Sequence, residues 1–197
     1  MGKIFILIGK SASGKDAIYK YLLQDCGPGL KPYVGYTTRP ARDGEVHGRE
    51  YFFSGPEELA VYEKSGKLIE KRTYHTVHGD WIYFSVDDGS IDTEQNNYLY
   101  IGTLESFVAL RDYYGAQKVI PVYVEVEDGE RLARALKRER MQPQPKYAEM
   151  CRRFLEDEKD FSEEKLQEAG ITRRFKNEEF ESCIKEIADF IKSQGVR

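Results

Sequence analysis

The fold of this chain is decided near its start, by the stretch Gly9-Lys10-Ser11-Ala12-Ser13-Gly14-Lys15-Asp16. The stretch has the GxxxxGK spacing of a P-loop, and it lies between an apolar run, Lys3 to Ile8, and a predicted helix, Lys15 to Gln24. Small residues let the backbone curl so that successive N–H groups point at phosphate oxygens, and the helix N-terminus adds partial positive charge. Residues 9–16 therefore predict a triphosphate site, in which Lys15 neutralises the β and γ phosphates; an ordinary glycine-bearing turn is the alternative.

The residue after Lys15 departs from the usual pattern, in which a Ser or Thr hydroxyl holds Mg²⁺. Here that residue is Asp16. A carboxylate is a hard oxygen ligand that binds magnesium directly or through water, so we expect Mg²⁺ as the cofactor and Asp16 as its ligand. The alternative is that Asp16 caps the helix and the metal is held elsewhere, and the two roles are not exclusive.

The bulk composition restricts the partners of the chain. Its 34 acidic and 30 basic residues give a formal charge of −4, which provides no overall attraction to nucleic acid or to an anionic membrane. The cysteines, Cys26, Cys151 and Cys183, are widely spaced and include no CxxC pair, so neither a disulfide framework nor a zinc site is indicated. We expect a cytoplasmic protein that binds small-molecule nucleotides, as a monomer or homodimer.

The order of predicted elements indicates one α/β domain over residues 1–197, a three-layer P-loop fold with a parallel sheet. Residues 33–85 contain short β-rich pieces broken by Gly and Pro, which predicts a small, mostly antiparallel inserted lobe, the acceptor lobe. The core then comprises 1–32 and 86–197. Its later strands are predicted at 98–102, 119–126 and 171–175, and its later helices at 104–113, 128–140 and 178–192. Residues 141–145, Met-Gln-Pro-Gln-Pro, interrupt two charged helices, which predicts a mobile lid over about 131–160.

A second motif lies in the acceptor lobe: Thr37-Thr38-Arg39-Pro40-Ala41-Arg42-Asp43-Gly44-Glu45-Val46-His47-Gly48-Arg49-Glu50-Tyr51-Phe52-Phe53. Its two arginines, three residues apart, suit bidentate grips on a dianionic phosphate, and Tyr51 adds a hydroxyl donor. A basic surface loop is the alternative. The motif resembles the guanylate kinase signature TTRxxRxGExxGxxYxF. The resemblance extends over nearly the whole chain, through GKLIE at 66–70, the arginine-rich lid, and Arg174-Phe175-Lys176-Asn177-Glu178-Glu179.

The resemblance implies a kinase of purine nucleotide metabolism that converts ATP and GMP to ADP and GDP. It implies that Arg39, Arg42 and Tyr51 hold the acceptor phosphate and that Glu70 accepts hydrogen bonds from the guanine edge. With a one-residue shift, Tyr83-Phe84-Ser85 matches the family's YGS or YGT, so that Tyr83 joins the phosphate site and Ser85 meets the base. A core-packed strand tyrosine is the alternative for Tyr83.

The lid contributes further catalytic candidates. In related kinases, lid arginines close over the donor and stabilise charge in the transition state, and Arg138, Arg140 and Arg153 are the candidates here. For each of them, the alternative is a solvated cation on a helix face.

Some positions depart from the family pattern. Gly35 stands where the family has a serine, and Tyr100-Ile101-Gly102 stands where it has an acidic DxD. Because one missing carboxylate helps to organise magnesium and the other reads the guanine amine, relaxed base selection is expected. We hypothesise that the carboxylate of Asp16 replaces the missing carboxylate that organises magnesium. Two alternatives therefore stay open: a kinase of the same fold for another nucleotide or a sugar phosphate, and a non-catalytic binding module.

Overall fold

A computed structural model describes residues 2–24, 29–76 and 79–196. Along the chain, its elements are β1 (Ile4–Ile8), α1 (Lys15–Gln24), β2 (Leu30–Pro32), β3 (Tyr36–Thr37), β4 (Phe52–Phe53), α2 (Pro56–Lys64), β5 (Leu68–Thr76), β6 (Gly79–Val86), β7 (Asn97–Ile101), α3 (Leu104–Tyr114), β8 (Val119–Glu125), α4 (Asp128–Arg140), α5 (Tyr147–Asp160), α6 (Glu163–Glu168), β9 (Arg174–Lys176) and α7 (Phe180–Ser193).

The core is a parallel sheet with strands in the order β2-β7-β1-β8-β9. Every residue of the central strand β1 is buried, because helices cover both faces of the sheet. Side chains alternate along that strand: Ile4, Ile6 and Ile8 pack on the side of α3, whereas Phe5 and Leu7 pack on the side of α1 and α7. The predicted three-layer α/β class is confirmed.

The acceptor lobe contains a second sheet, in the order β4-β3-β6-β5. The pairs β3/β6 and β5/β6 are antiparallel, and the pair β3/β4 is parallel. A small separate core of Tyr36, Leu59, Phe84 and Val86 holds this sheet against α2. The sheet is thus mostly antiparallel, as predicted.

Several boundaries differ from the sequence prediction. The last strand begins at Arg174 rather than at 171, because Ile171 donates its backbone N–H to Leu166 O and closes the end of α6. Neither β2 nor α6 is predicted; the first is a three-residue edge strand and the second a six-residue helix, and both are too short for a periodic pattern. The stretch Cys26-Gly27-Pro28-Gly29 is expected from the sequence to end α1, and all of it but Gly29 lies outside the described residues. Within the described ranges, no helix combines the length and apolar character that crossing a membrane requires.

Candidate nucleotide-binding site

The P-loop connects β1 to α1 in the predicted place, and its backbone is unusual. Gly9 has φ +149°, and a Cβ at that position would lie 2.4 Å from Val124 O, so only glycine lets the loop leave β1 so close to β8. Ala12 has φ 63°, a left-handed conformation that non-glycine residues adopt rarely and that is found preferentially at functional sites. The loop is therefore held in a shape that an ordinary turn would not need.

Lys15 folds back into this loop. Its Nζ donates hydrogen bonds to Gly9 O at 2.6 Å and to Lys10 O at 3.0 Å. Burial lowers the pKa of Lys15, while the nearby carboxylates of Asp16 and Asp157 act in the opposite direction. Asp16 itself is exposed in the first turn of α1. The two residues predicted to act on phosphate and metal thus lie side by side at the helix N-terminus.

A buried asparagine supports the loop from the C-terminal part of the chain. Asn177 Nδ2 donates to Ser13 O at 2.8 Å, and both residues are buried. A Cβ on Gly14 would lie 2.5 Å from that same Nδ2, so the contact also requires glycine at position 14. The sequence analysis quoted the 174–179 segment but gave Asn177 no role; no local pattern reveals a partner 164 residues away.

The lid, helices α4 and α5, touches the P-loop through a buried cation. The side chain of Arg131 is only 1% exposed, and its guanidinium donates to Ser11 O at 3.2 Å and to Asp128 Oδ1 at 2.9 Å. It also lies over the Phe154 ring, 4.5 Å from Cζ to the ring centroid. Sequence reasoning missed Arg131, because it resembles its exposed neighbours; its place in the first turn after β8 is the only signal.

Acidic residues of α5 bind the P-loop directly. The Ser11 N–H donates to Asp157 Oδ2 at 2.7 Å, and Lys10 Nζ donates to Glu158 Oε1 at 2.6 Å. Both carboxylates also accept from Arg131, at 3.3 and 2.7 Å. Carboxylates of the lid therefore take hydrogen bonds from groups on the P-loop.

The arginines selected in the lid lie in different surroundings. Arg138 and Arg153 line a cavity between α4 and α5 that Ser11 also lines, and Arg138 is close enough to Lys15 to contribute to lowering its pKa. Arg153 is exposed and pairs with Glu149 at 2.8 Å. Arg140 is exposed at the end of α4 and is not among the residues that line this cavity.

The structure brings together most of the residues predicted to bind the acceptor phosphate. The buried Arg39 donates from Nε to Tyr83 OH at 3.0 Å, and the Tyr51 ring centroid lies 5.4 Å from its Cζ. Arg39 also forms a bidentate pair with Glu45, at 2.7 and 2.9 Å, which lowers the pKa of Glu45 to about 2. Arg42 has an exposed side chain, and its backbone N–H donates to Glu45 Oε2 at 2.7 Å.

The residues predicted on the base side also meet. Ser85 Oγ donates to Glu70 Oε1 at 2.9 Å. A Cβ on Gly35 would lie 3.2 Å from the Tyr100 hydroxyl, so the glycine makes room for the tyrosine. At Gly102, a Cβ would lie 2.9 Å from Ile6 Cγ2, so a carboxylate there would disturb the packing of β7 on β1. The departures at 35, 100 and 102 are therefore linked by packing.

The two halves of the site lie at the same edge of the core sheet. The backbone N–H of Gly102, just after β7, donates to Leu7 O, just before the P-loop. Thr103 follows, and its Oγ1 accepts from Arg72 of the acceptor lobe at 3.0 Å. In open α/β sheets, ligands bind outside the carboxyl ends of the strands. A strained P-loop, a lobe with a buried arginine–tyrosine cluster and a two-helix lid at this edge place the chain in the P-loop class of α/β folds.

Comparison with known proteins finds similarity to guanylate kinases. Residues 1–84 match the family model for guanylate kinase. Curated guanylate kinases match over shorter stretches: that of Polaromonas sp. is 44% identical over 78 residues, and that of Rhodopirellula baltica is 35% identical over 80 residues. These stretches cover 40% and 41% of this chain, and 36% and 38% of the relatives' own lengths.

The fold likeness covers more of the chain. The crystal structure of guanylate kinase from Anaplasma phagocytophilum matches 100% of this chain and 87% of its own, with a TM-score of 0.66 at 19% sequence identity. The sequence likeness to guanylate kinase thus covers residues 1–84, less than half of the chain, and the likeness over the whole chain is one of fold.

Proposed function

We propose that the protein is an ATP-dependent kinase that transfers the γ-phosphoryl group of ATP to GMP, giving ADP and GDP. The observation that carries this proposal is the position of the P-loop and the acceptor lobe beside each other, at the carboxyl ends of β1 and β7. The family match over residues 1–84 supports it, since that segment contains both the P-loop and the arginine signature.

In the proposed reaction, an oxygen of the GMP phosphate attacks the γ-phosphorus of ATP. The bond between the γ-phosphorus and the β–γ bridging oxygen breaks, and ADP leaves without a covalent enzyme intermediate. Phosphoryl transfer of this kind depends on positioning and on neutralising charge. The P-loop amides and Lys15 hold the β and γ phosphates. Arg138 and Arg153 approach from the lid, and Arg140 lies farther along α4 as the third catalytic candidate.

The loop offers one carboxylate, that of Asp16, as a ligand for a magnesium ion. Mg²⁺ in such sites takes one or two carboxylates together with phosphate oxygens and waters, and Asp16 offers an exposed carboxylate next to Lys15. Asp16 would hold the ion, which would supply neutralisation of phosphate charge when bound.

On the acceptor side, Arg39, Arg42, Tyr51 and Tyr83 would hold the GMP phosphate, and Glu70 and Ser85 line the base side. Arg39 is held by Glu45, so its guanidinium is fixed before substrate arrives. Nucleotides are the proposed partners, the cytoplasm is the proposed location, and monomer or homodimer is the proposed state.

The test is a coupled assay of ADP release with MgATP and GMP. Turnover is expected from the parent protein and a loss of at least about 10²-fold in Lys15→Ala, because an uncompensated phosphate charge raises the barrier. Lys20→Ala, at an exposed position of α1, is the matched control and keeps parental activity. Absence of turnover of GMP by the parent protein, or parental activity in Lys15→Ala, would refute the proposal.

A further inference from the structure

A nearly buried ion pair lies in the acceptor lobe, where the base of the nucleotide is proposed to bind. Glu70 and Arg72 are neighbours on one face of β5, with side chains only 9% and 14% exposed. Arg72 Nε donates to Glu70 Oε2 at 3.1 Å, and Ser85 Oγ donates to Oε1 at 2.9 Å. Both oxygens of the carboxylate therefore already have a donor within the protein.

Arg72 is fixed from the core side as well. Its Nη1 donates to Oγ1 of Thr103, the N-cap residue of α3. Burial by itself lowers the pKa of Arg72, but neighbouring Tyr100 and Glu70 raise it above its ordinary value, so the guanidinium stays charged. Turning Arg72 away would leave a nearly buried carboxylate without its counter-ion, which is costly. The pair is thus part of the folded pocket.

This pairing affects how a base can be read. Guanine differs from hypoxanthine only by its exocyclic 2-amine, and a site that hydrogen-bonds such a group rejects the analogue without it by about 10⁴-fold or more. A carboxylate can recognise the amine only if an oxygen is reachable. Here each Glu70 oxygen already accepts one hydrogen bond, from Arg72 or from the 0% exposed Ser85, and Arg72 neutralises its charge, so a 2-amine would have to compete with fixed donors for the carboxylate.

We propose that Arg72 is a specificity-determining residue that withdraws Glu70 from base recognition, so that the acceptor is selected by its phosphate monoester and its purine ring but not by the 2-amine. The inference rests on the proposed kinase function and deepens it: among 6-oxopurine nucleoside monophosphates, those with and those without that amine both serve as acceptors. GMP and IMP are then phosphorylated with kcat/KM values within tenfold of each other.

The experiment compares kcat/KM for GMP and IMP in the parent, in Glu70→Gln and in Arg72→Met. The parent ratio of GMP to IMP is expected below tenfold, and Glu70→Gln changes both values by the same factor because neither base contacts the carboxylate. Arg72→Met uncovers Glu70 and raises the ratio at least tenfold. A parent ratio above tenfold, or a ratio that falls by tenfold in Glu70→Gln, overturns the inference even if Arg72→Met fails to fold.

Calorimetric binding of GMP and IMP to the same proteins separates this inference from the proposed function. If the parent protein binds GMP and IMP with affinities within tenfold of each other but turns over neither, the kinase function is refuted and the selectivity inference stands. Turnover with a strong preference for GMP supports the kinase function and overturns the selectivity inference. Failure of both nucleotides to bind at millimolar concentration overturns both.

Discussion

Replacing Asp157 with asparagine is expected to tighten the binding of ATP. Asp157 lies on the lid helix α5, and its Oδ2 accepts from the Ser11 N–H of the P-loop at 2.7 Å. If ATP phosphates use the amides of this loop, the carboxylate must leave before they bind. Asparagine has the same shape and no charge, so the substitution weakens the contact without removing atoms.

The size of the effect follows from this geometry. A hydrogen bond to a charged group contributes about 1.5–3 kcal/mol, and a neutral acceptor roughly half of that. The substitution therefore removes about 1 kcal/mol of competition and also the repulsion between the carboxylate and the triphosphate. An affinity gain of about 5–10-fold corresponds to this sum. Arg131 loses one charged partner but keeps Asp128 and Glu158, at 2.8 and 2.7 Å.

The assay is isothermal titration calorimetry with Mg²⁺ and a non-hydrolysable ATP analogue. Asp160→Asn is the matched control, because Asp160 is 59% exposed at the end of the same helix and pairs only distantly with Lys165, at 3.6 Å. The control is expected to bind like the parent. An Asp157→Asn protein that binds the analogue with parental or weaker affinity, while unfolding at the parental temperature, would refute the reasoning.

Two further predictions concern stability. Glu45→Gln is expected to lower the free energy of unfolding by about 1–2 kcal/mol at neutral pH, because the carboxylate is bidentate with buried Arg39. The pKa of Glu45 is lowered from 4.5 to about 2, so its stabilising effect is present above pH 4.5 and disappears as the pH falls toward 2. Urea unfolding of the parent and of Glu45→Gln at pH 7 and near pH 3 measures this loss. An equal difference in unfolding free energy between the two proteins at both pH values would contradict the prediction. Asn177→Ala leaves the buried Ser13 carbonyl without its 2.8 Å donor. The substitution is expected to lower the free energy of unfolding, measured in urea, by about 1–3 kcal/mol and to weaken ATP binding, measured by calorimetry. Parental values in both measurements would exclude a supporting role for Asn177.

Much of the fold could be predicted from the sequence, because the deciding signals are local. The apolar run before Gly9 and the helix after Gly14 are adjacent in the chain, and the predicted bounds of α1 agree with the structure. The alternation of predicted strands and helices also predicted the parallel core sheet correctly. The short elements β2 and α6 were missed, since three or six residues carry no measurable periodicity.

Some residues of the candidate site could be predicted from the sequence and others could not. Lys15 and the residues 9–16 follow from spacing, and so do Arg39 and Tyr51, which the structure brings together around Tyr83. In contrast, the sequence analysis selected Arg138, Arg140 and Arg153 in the lid and missed Arg131, because burial distinguishes Arg131 and burial is set by packing.

The sequence by itself thus determined the P-loop, the α/β class and the residues of the arginine motif in the acceptor lobe, because these depend on backbone conformation and residue type within short segments. Only the tertiary structure decided that Asp157 reaches Ser11 across 146 positions of the chain, that Arg131 is buried beneath the lid, and that Arg72 covers Glu70. The physical reason is that a charged side chain acquires its role when folding excludes water around it and fixes its partner, and both depend on contacts between distant segments.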